Sequence, residues 1–221
     1  IASESRPIRV LDPMMGSGTV LAVARACGHT AIGIDIDPLA VLLAGVWTTS
    51  VEVERVEAKA TEVLDRARTK FDNCKLSDAY PRIADLETRR FIRYWFDGHS
   101  RRRLTCLSQA IQGVRDIHVR NTLWCAFSRL IITKQAGASL ARDLSHSRPH
   151  KAFTHAPIDP FDKFPSAVSL VLKNCIGRNQ PDRGPTARAK LGDARKLPLG
   201  DATIDLVLTS PPYLNAIDYM R

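Results

Sequence analysis

The chain has no apolar run of about 18 residues, so nothing in it reads as a bilayer-spanning helix. Its first residues, Ile1 to Arg9, lack the charged-then-apolar layout of a secretory signal, and a soluble, cytoplasmic protein is the expectation. Cysteine is sparse: Cys27, Cys74, Cys106, Cys125 and Cys175 are odd in number, far apart and free of any Cys-x-x-Cys pair. Neither a disulfide framework nor a zinc knuckle is indicated, and the thiols are expected to be reduced packing residues. No Gly-x-Ser-x-Gly elbow and no Walker-type Gly-Lys-Thr loop occurs, which leaves serine-hydrolase and P-loop chemistry unsupported. His146, His150 and His155 lie among prolines with no cysteine or carboxylate arranged around them, so no metal is expected. What is present is enough for a buried core, because 44% of the 221 residues are hydrophobic, and this excludes wholesale disorder.

Charge is unevenly placed. The net +9 divides into −1 over residues 1–50, +11 over 51–190 and −1 over 191–221. A domain with such an excess attracts polyanions, and a patch that neutralises several phosphates gains affinity through counterion release.

The first fifty residues spell β-α-β-α. Ile8 to Leu11 is a short apolar run ending at Asp12, followed by the turn Pro13-Met14-Met15-Gly16-Ser17-Gly18 and a helical pattern from Thr19 to Cys27. Thr30 to Ile34 forms a second β-branched run that ends at Asp35, and Pro38 opens another helix near Leu39 to Val46. Leu191-Gly192-Asp193 and Ile204 to Leu208 are further strand candidates, expected to lie parallel in the same sheet. Between them the spacing predicts helices over 51–71, 83–96, 101–114, 117–134 and 165–175. Ser100 and Asp116 are the expected N-caps, Ser145 to Phe164 is the expected loop, and Gly177 to Ala187 the expected hinge.

A strand that delivers a carboxylate into Gly-x-Gly at a helix start is a generic nucleotide cradle, since glycines admit a ligand to the backbone and the helix terminus offers free N–H groups. A tight capped βα turn would account for the glycines equally well. Asp35, at the tip of the next strand, adds an acceptor suited to both hydroxyls of a ribose. A carboxylate beside the loop disfavours a pyrophosphate and favours a sulfonium or amine, which argues against a dinucleotide. At the other end Thr209-Ser210-Pro211-Pro212-Tyr213 follows an apolar strand directly. Consecutive prolines fix φ and remove backbone donors, so carbonyls are left to accept. The Ser210 hydroxyl and Pro211 carbonyl suit the two hydrogens of an exocyclic amine, and the Tyr213 ring suits stacking on a flat base.

Together the two motifs resemble those of the S-adenosylmethionine-dependent amino-methyltransferases of DNA. In that resemblance Asp12, Pro13, Met14, Gly16, Gly18 and Thr19 correspond to the cofactor loop, Asp35 to the ribose acid, and Asp193 with Ala194 to the contact with the cofactor's adenine amino group. Ser210, Pro211, Pro212 and Tyr213 correspond to the catalytic motif. The resemblance covers roughly residues 1–46 and 191–221, with the cofactor motif first. It implies a Rossmann-like α/β methyltransferase sheet and methyl transfer from S-adenosylmethionine to an amino group of a DNA base, in a restriction–modification setting. The serine heading the catalytic motif leans toward cytosine over adenine. A guanine-amino methyltransferase of RNA or tRNA, or a nucleic-acid-binding fragment without turnover, are the rival readings. Neither Cys106 nor Cys125 follows a proline, which disfavours methylation of a cytosine ring carbon.

The expected organisation is therefore a first core segment at 1–50, a basic helical insertion at 51–187 that grips the substrate, and the remainder of the core at 188–221. The richest stretch of the insertion sets Arg89, Arg90, Arg93, Arg101, Arg102 and Arg103 among Phe91, Tyr94, Trp95 and Phe96, a pattern suited to phosphate contacts and base stacking. The sequence ends eight residues after Tyr213, where the family's sheet continues, so the resemblance implies a catalytic domain that is a fragment, is completed by a partner chain, or is a remnant that cannot turn over.

Overall fold

The computed structural model describes residues 6–131, 136–141, 150–175 and 185–211. These form two compact units, one from residues 1–52 and 174–221 and the other from 53–173. Among the described residues the chain is α/β, with a four-stranded parallel sheet in the first unit and helices in both.

The first unit carries β1 (Arg9–Asp12), α1 (Thr19–Ala26), β2 (Thr30–Asp35), α2 (Pro38–Thr48), β3 (Ala187–Leu191) and β4 (Leu206–Val207). The strand order is β3-β2-β1-β4, every pair parallel. Parallel pairing needs a crossover, and α1 supplies the one between β1 and β2. The fully buried Val10, Leu21, Ala24 and Ala44 are the centre of the core, joined by Ile8, Met15 and Ala31. Gly33 is a packing requirement of that core: a Cβ there would lie 2.4 Å from Met15 Sδ and 2.7 Å from Leu21 Cδ1. The α2 start follows the sequence closely, because the Asp37 carboxylate accepts from the Leu39 N–H at 2.8 Å and Pro38 occupies the first turn.

The strands on the C-terminal side differ from expectation in extent. β3 begins at Ala187, inside the expected hinge, and ends at Leu191, so Gly192 and Asp193 lie beyond it. Its register runs Ala31↔Ala187 to Asp35↔Leu191, and Gly192 N–H extends the ladder to Asp35 C=O at 2.9 Å. The ladder partner, rather than apolarity, decides the strand here, since ARAKL is mostly exposed and carries no apolar run. β4 is only two residues, although Asp205 N–H and Leu208 N–H bond Arg9 C=O and Leu11 C=O on either side of it.

The second unit contains α3 (Val53–Phe71), a short 3₁₀ turn at Leu76–Asp78, α4 (Leu86–Trp95), α5 (Gly98–Gln112), α6 (Ile117–Ile131) and α7 (Pro160–Asn174). α3 buries Val56, Ala60, Val63, Leu64 and Ala67, a stripe of helical period, and packs on α5. α5 starts earlier than expected. Its N-cap is Asp97, whose Oδ1 accepts from the Ser100 N–H at 2.8 Å, so Ser100 sits buried in the first turn rather than at the cap. Asp116 does cap α6, accepting from the His118 and Val119 N–H groups at 2.9 and 3.1 Å. α7 starts at Pro160, inside the expected loop, because Asp159 Oδ1 takes the Phe161 N–H at 2.9 Å. Pro165 lies within it and gives up one intrahelical bond. The end of the expected 117–134 helix, residues 145–149 with His146, and most of the 177–187 hinge lie outside the described residues.

No helix among the described residues is long and apolar enough to cross a membrane. Cys106, Cys125 and Cys175 are buried, Cys74 half-buried and Cys27 exposed, and none is in a disulfide. Burial, and then the neighbouring Cys74 thiol, pushes the Cys106 thiol up to about 12.

Candidate functional site

The strand order places the two sequence motifs side by side. From β1 the chain builds outward through β2 and β3, whereas β4 adds on the other flank of β1. Loops leaving β1 and β4 therefore part at the C-terminal edge, the position where open parallel sheets bind ligands. The loop after β1 runs from Asp12 to Gly18, and the loop after β4 includes Thr209, Ser210 and Pro211. A hydrogen bond joins them: Thr209 Oγ1 donates to Asp12 Oδ1 at 2.7 Å. Asp12 is buried at 3% exposure, and the same Oδ1 accepts from the Met14 N–H at 3.2 Å.

The turn from β1 into α1 is built on backbone that side chains disfavour. Gly16 and Gly18 have φ of +50° and +84°, in the left-handed region. At Gly18 the close approach is to α2, since a Cβ would sit 2.6 Å from Ala44 Cβ and 2.9 Å from Ala44 Cα. At Gly16 the space is open, with nothing within 4 Å of such a Cβ. The Met15 N–H bonds Ile34 C=O at 3.1 Å and the Gly18 N–H bonds Met15 C=O at 2.8 Å, which ties the turn to the end of β2.

Asp35 is the hinge of the arrangement. Its Oδ2 accepts from the Gly16 N–H at 2.8 Å and its Oδ1 from the Asp37 N–H at 2.9 Å, leaving each oxygen one lone pair. The structure thus brings Asp12, Gly16, Gly18 and Asp35 together at one strand edge, with Ser210 and Pro211 on the adjoining loop. Pro13 is half-buried and Met14 is 41% exposed at the turn, while Thr19 begins α1. Pro212 and Tyr213 lie outside the described residues.

Asp193 is positioned after β3 but is occupied. Oδ1 accepts from both the Arg195 N–H and Nε, at 2.9 and 3.0 Å, and Oδ2 accepts from Arg195 Nη2 at 2.6 Å and Nε at 3.0 Å. The Arg195 guanidinium holds the Asp193 carboxyl well below its usual range, at about 2. An acceptor role for Asp193 therefore requires Arg195 to move aside, and its 87% exposed side chain is free to exchange with water.

The arginines expected to grip nucleic acid divide into two sets. Arg101, Arg102 and Arg103 are engaged within their own unit. Arg101 is buried, donating Nη1 to Tyr80 Oη at 2.5 Å. Arg102 stacks on Phe71 and donates to the carbonyls of Cys74 and Phe71 at 2.6 and 2.8 Å. Arg103 lies over Phe71 and Phe161 with Nε 3.1 Å from Asp159 Oδ2. Their place on the packed face of α5, which also buries Leu104, Leu107 and Ile111, explains the difference. Arg89, Arg90 and Arg93 are exposed on α4, beside exposed Phe91 and Tyr94, although Arg89 also lies over the Tyr80 ring at 5.2 Å and donates Nε to the Ala84 carbonyl at 3.1 Å. Trp95 and Phe96 are half-buried.

Several contributors escape a reading of motifs. Thr209 immediately precedes Ser210 and Pro211, and only strand adjacency shows that it reaches Asp12. Ile36 follows Asp35 and is apolar yet 74% exposed, next to the carboxylate at the strand edge. Arg195 was legible only as a charge two residues from Asp193.

Comparison with known protein families, curated proteins and solved structures finds no match to this chain.

Proposed function

We propose that the first unit is the Rossmann-like cofactor core of a methyltransferase that uses S-adenosylmethionine to methylate an exocyclic amine of a DNA base, with cytosine favoured over adenine. The observation that carries the reading is the Thr209–Asp12 hydrogen bond, which holds the loop bearing Ser210 and Pro211 against the glycine turn.

The residues fit such a cofactor. Gly16 leaves open space where a side chain would stand, Asp35 retains a lone pair on each oxygen for ribose hydroxyls, and exposed Ile36 and Met14 offer apolar surface to an adenosyl group. When bound, the cofactor supplies an electrophilic sulfonium methyl. The buried Asp12 carboxylate braces both loops and favours positive charge nearby. Ser210 Oγ and the Pro211 carbonyl accept the two hydrogens of the amine, drawing its nitrogen toward a tetrahedral geometry and localising the lone pair that ring conjugation otherwise withdraws. That contribution is positioning and preorganised electrostatics, and it requires the base to leave its stack. Exposed Arg89, Arg90 and Arg93 supply phosphate contacts.

The test is transfer of a labelled methyl group to duplex DNA and to RNA, with cofactor binding measured in parallel. Binding with transfer to DNA alone is expected. Ser210→Ala should slow transfer with the cofactor dissociation constant nearly unchanged, and Asp35→Ala should raise that constant. Absence of cofactor binding by the wild-type chain, or equal loss of binding in both variants, overturns the reading.

A further inference from the structure

The second unit holds a chamber of about 280 Å³ that has no part in the reading above. Its floor is one face of α5, where Arg101, Thr105 and Ser108 follow each other at helical spacing. Its walls are Ile92 and Phe96 from α4 and Trp124 and Phe127 from α6, the last two in edge-to-face contact at 5.2 Å. The lining is predominantly apolar, and the half-buried state of these four wall residues leaves the chamber a mouth to solvent.

The uncommon feature is the floor. Arg101 is only 8% exposed and has no carboxylate within ion-pair distance among the described residues, in contrast to Arg103 with Asp159. It has the Tyr80 hydroxyl and the Tyr80 ring face, 5.2 Å away, but Nε has no hydrogen-bond partner. One turn on, Thr105 is equally buried and lines the same chamber. A buried cation without a counter-ion is costly, and a few polar groups on an otherwise apolar wall are what orient a small ligand.

We propose that this chamber binds a small apolar monocarboxylate, its hydrocarbon part between Phe96 and Trp124 and its carboxylate paired with Arg101 beside Thr105. The ligand supplies the negative charge that no carboxylate among the described residues brings to Arg101. The proposal is independent of the methyltransferase reading, since each lining residue belongs to the second unit.

The probe is octanoate, titrated into the full chain by calorimetry, with 1-octanol as the uncharged counterpart. One saturable site is expected, at least tenfold tighter for octanoate, the discrimination a charged hydrogen bond provides. Arg101→Gln should reduce octanoate to the level of octanol. Ser108→Phe, which fills the chamber from its half-buried floor, should abolish binding of both with the melting temperature unchanged or raised. If Arg101→Gln fails to fold, the octanoate–octanol ratio and Ser108→Phe decide the matter. No saturable octanoate binding, equal affinity for the two probes, or binding that survives Ser108→Phe overturns the proposal.

Discussion

Alanine at Gly18 and alanine at Gly16 separate two causes that a glycine motif confounds. Both positions have positive φ, so either substitution incurs the left-handed penalty of about 1–2 kcal/mol. Part of that is returned, about 0.4–1 kcal/mol, because alanine narrows the unfolded ensemble. At Gly16 the ledger stops there, since the new Cβ meets open space, and a net loss of about 1 kcal/mol is expected. At Gly18 the new Cβ would stand 2.6 Å from Ala44 Cβ and 2.9 Å from its Cα, against the usual 3.5–4.0 Å or so between carbons. Backbone has to move, which adds about 1–3 kcal/mol of overpacking and brings Gly18→Ala to about 2–4 kcal/mol. For a chain of this size that is a fall in melting temperature of roughly 4–16 °C, against a few degrees for Gly16→Ala. Thermal and urea unfolding followed by circular dichroism measures both. Ala44→Gly in the Gly18→Ala background should recover part of the loss by removing the nearer clash. Equal destabilisation by the two single variants, or a neutral Gly18→Ala, would refute the claim that close approach of α1 to α2 dictates Gly18.

Arg195→Ala should return the Asp193 carboxyl from about 2 toward the ordinary aspartate range, a shift that carbon-detected NMR titration resolves and that added salt should imitate in the wild type. The folded value lies below the unfolded one, so this pair favours the folded state above about pH 4 and loses that contribution as pH falls through 2. Asp97→Ala should destabilise the second unit by about 1–3 kcal/mol, since it removes the α5 cap and the acceptor of the Ala156 N–H at 2.7 Å. Burial works against the Asp97 carboxylate, but bonds from the Ser100 and Ala156 N–H groups outweigh it and hold the carboxyl low. Its stabilisation is therefore present above the ordinary aspartate value and fades in more acidic solution, and urea midpoints that stay flat from pH 6 to pH 2 would contradict the assignment. Reversing Arg89, Arg90 and Arg93 to Glu should weaken DNA binding and flatten its salt dependence in a filter or fluorescence assay, whereas Arg101→Glu should first lower the melting temperature.

The first fifty residues were nearly transparent because local chemistry and tertiary structure agree there. Apolar runs end in Asp12 and Asp35, glycine sits where φ is positive, and Asp37-Pro38 opens a helix, so each element is fixed by its own residues. β3 was legible only at its end, since ARAKL is strand by virtue of its partner β2 and not of its side chains. The cap of α5 was misplaced for a different reason. Asp-Gly-His-Ser offers two capping residues one turn apart, and the choice of Asp97 is tied to its second bond, to Ala156, some sixty residues away. α7 begins five residues before the expected 165–175 helix, because the Asp159 cap starts it at Pro160 and it runs on through Pro165.

The arginines show how far composition goes. The excess of +11 over 51–190 was real, but sequence gives each arginine equal weight, whereas burial does not. Arg102 and Arg103 are engaged in stacking on Phe71 and Phe161 and in bonds to backbone and Asp159, so their charge serves the packing of α5, whereas buried Arg101 rests on Tyr80 with its Nε unpartnered. α4 inverts the usual rule in the same neighbourhood, with Phe91 and Tyr94 outward among Arg89, Arg90 and Arg93. An exposed aromatic next to an exposed guanidinium offers a stacking surface and phosphate contacts at once, while a buried guanidinium without a carboxylate offers a pocket its missing charge. If both proposals hold, the basic segment carries two distinct anion-binding surfaces, and variants on α4 and on α5 should separate them, because neither set of side chains can substitute for the other.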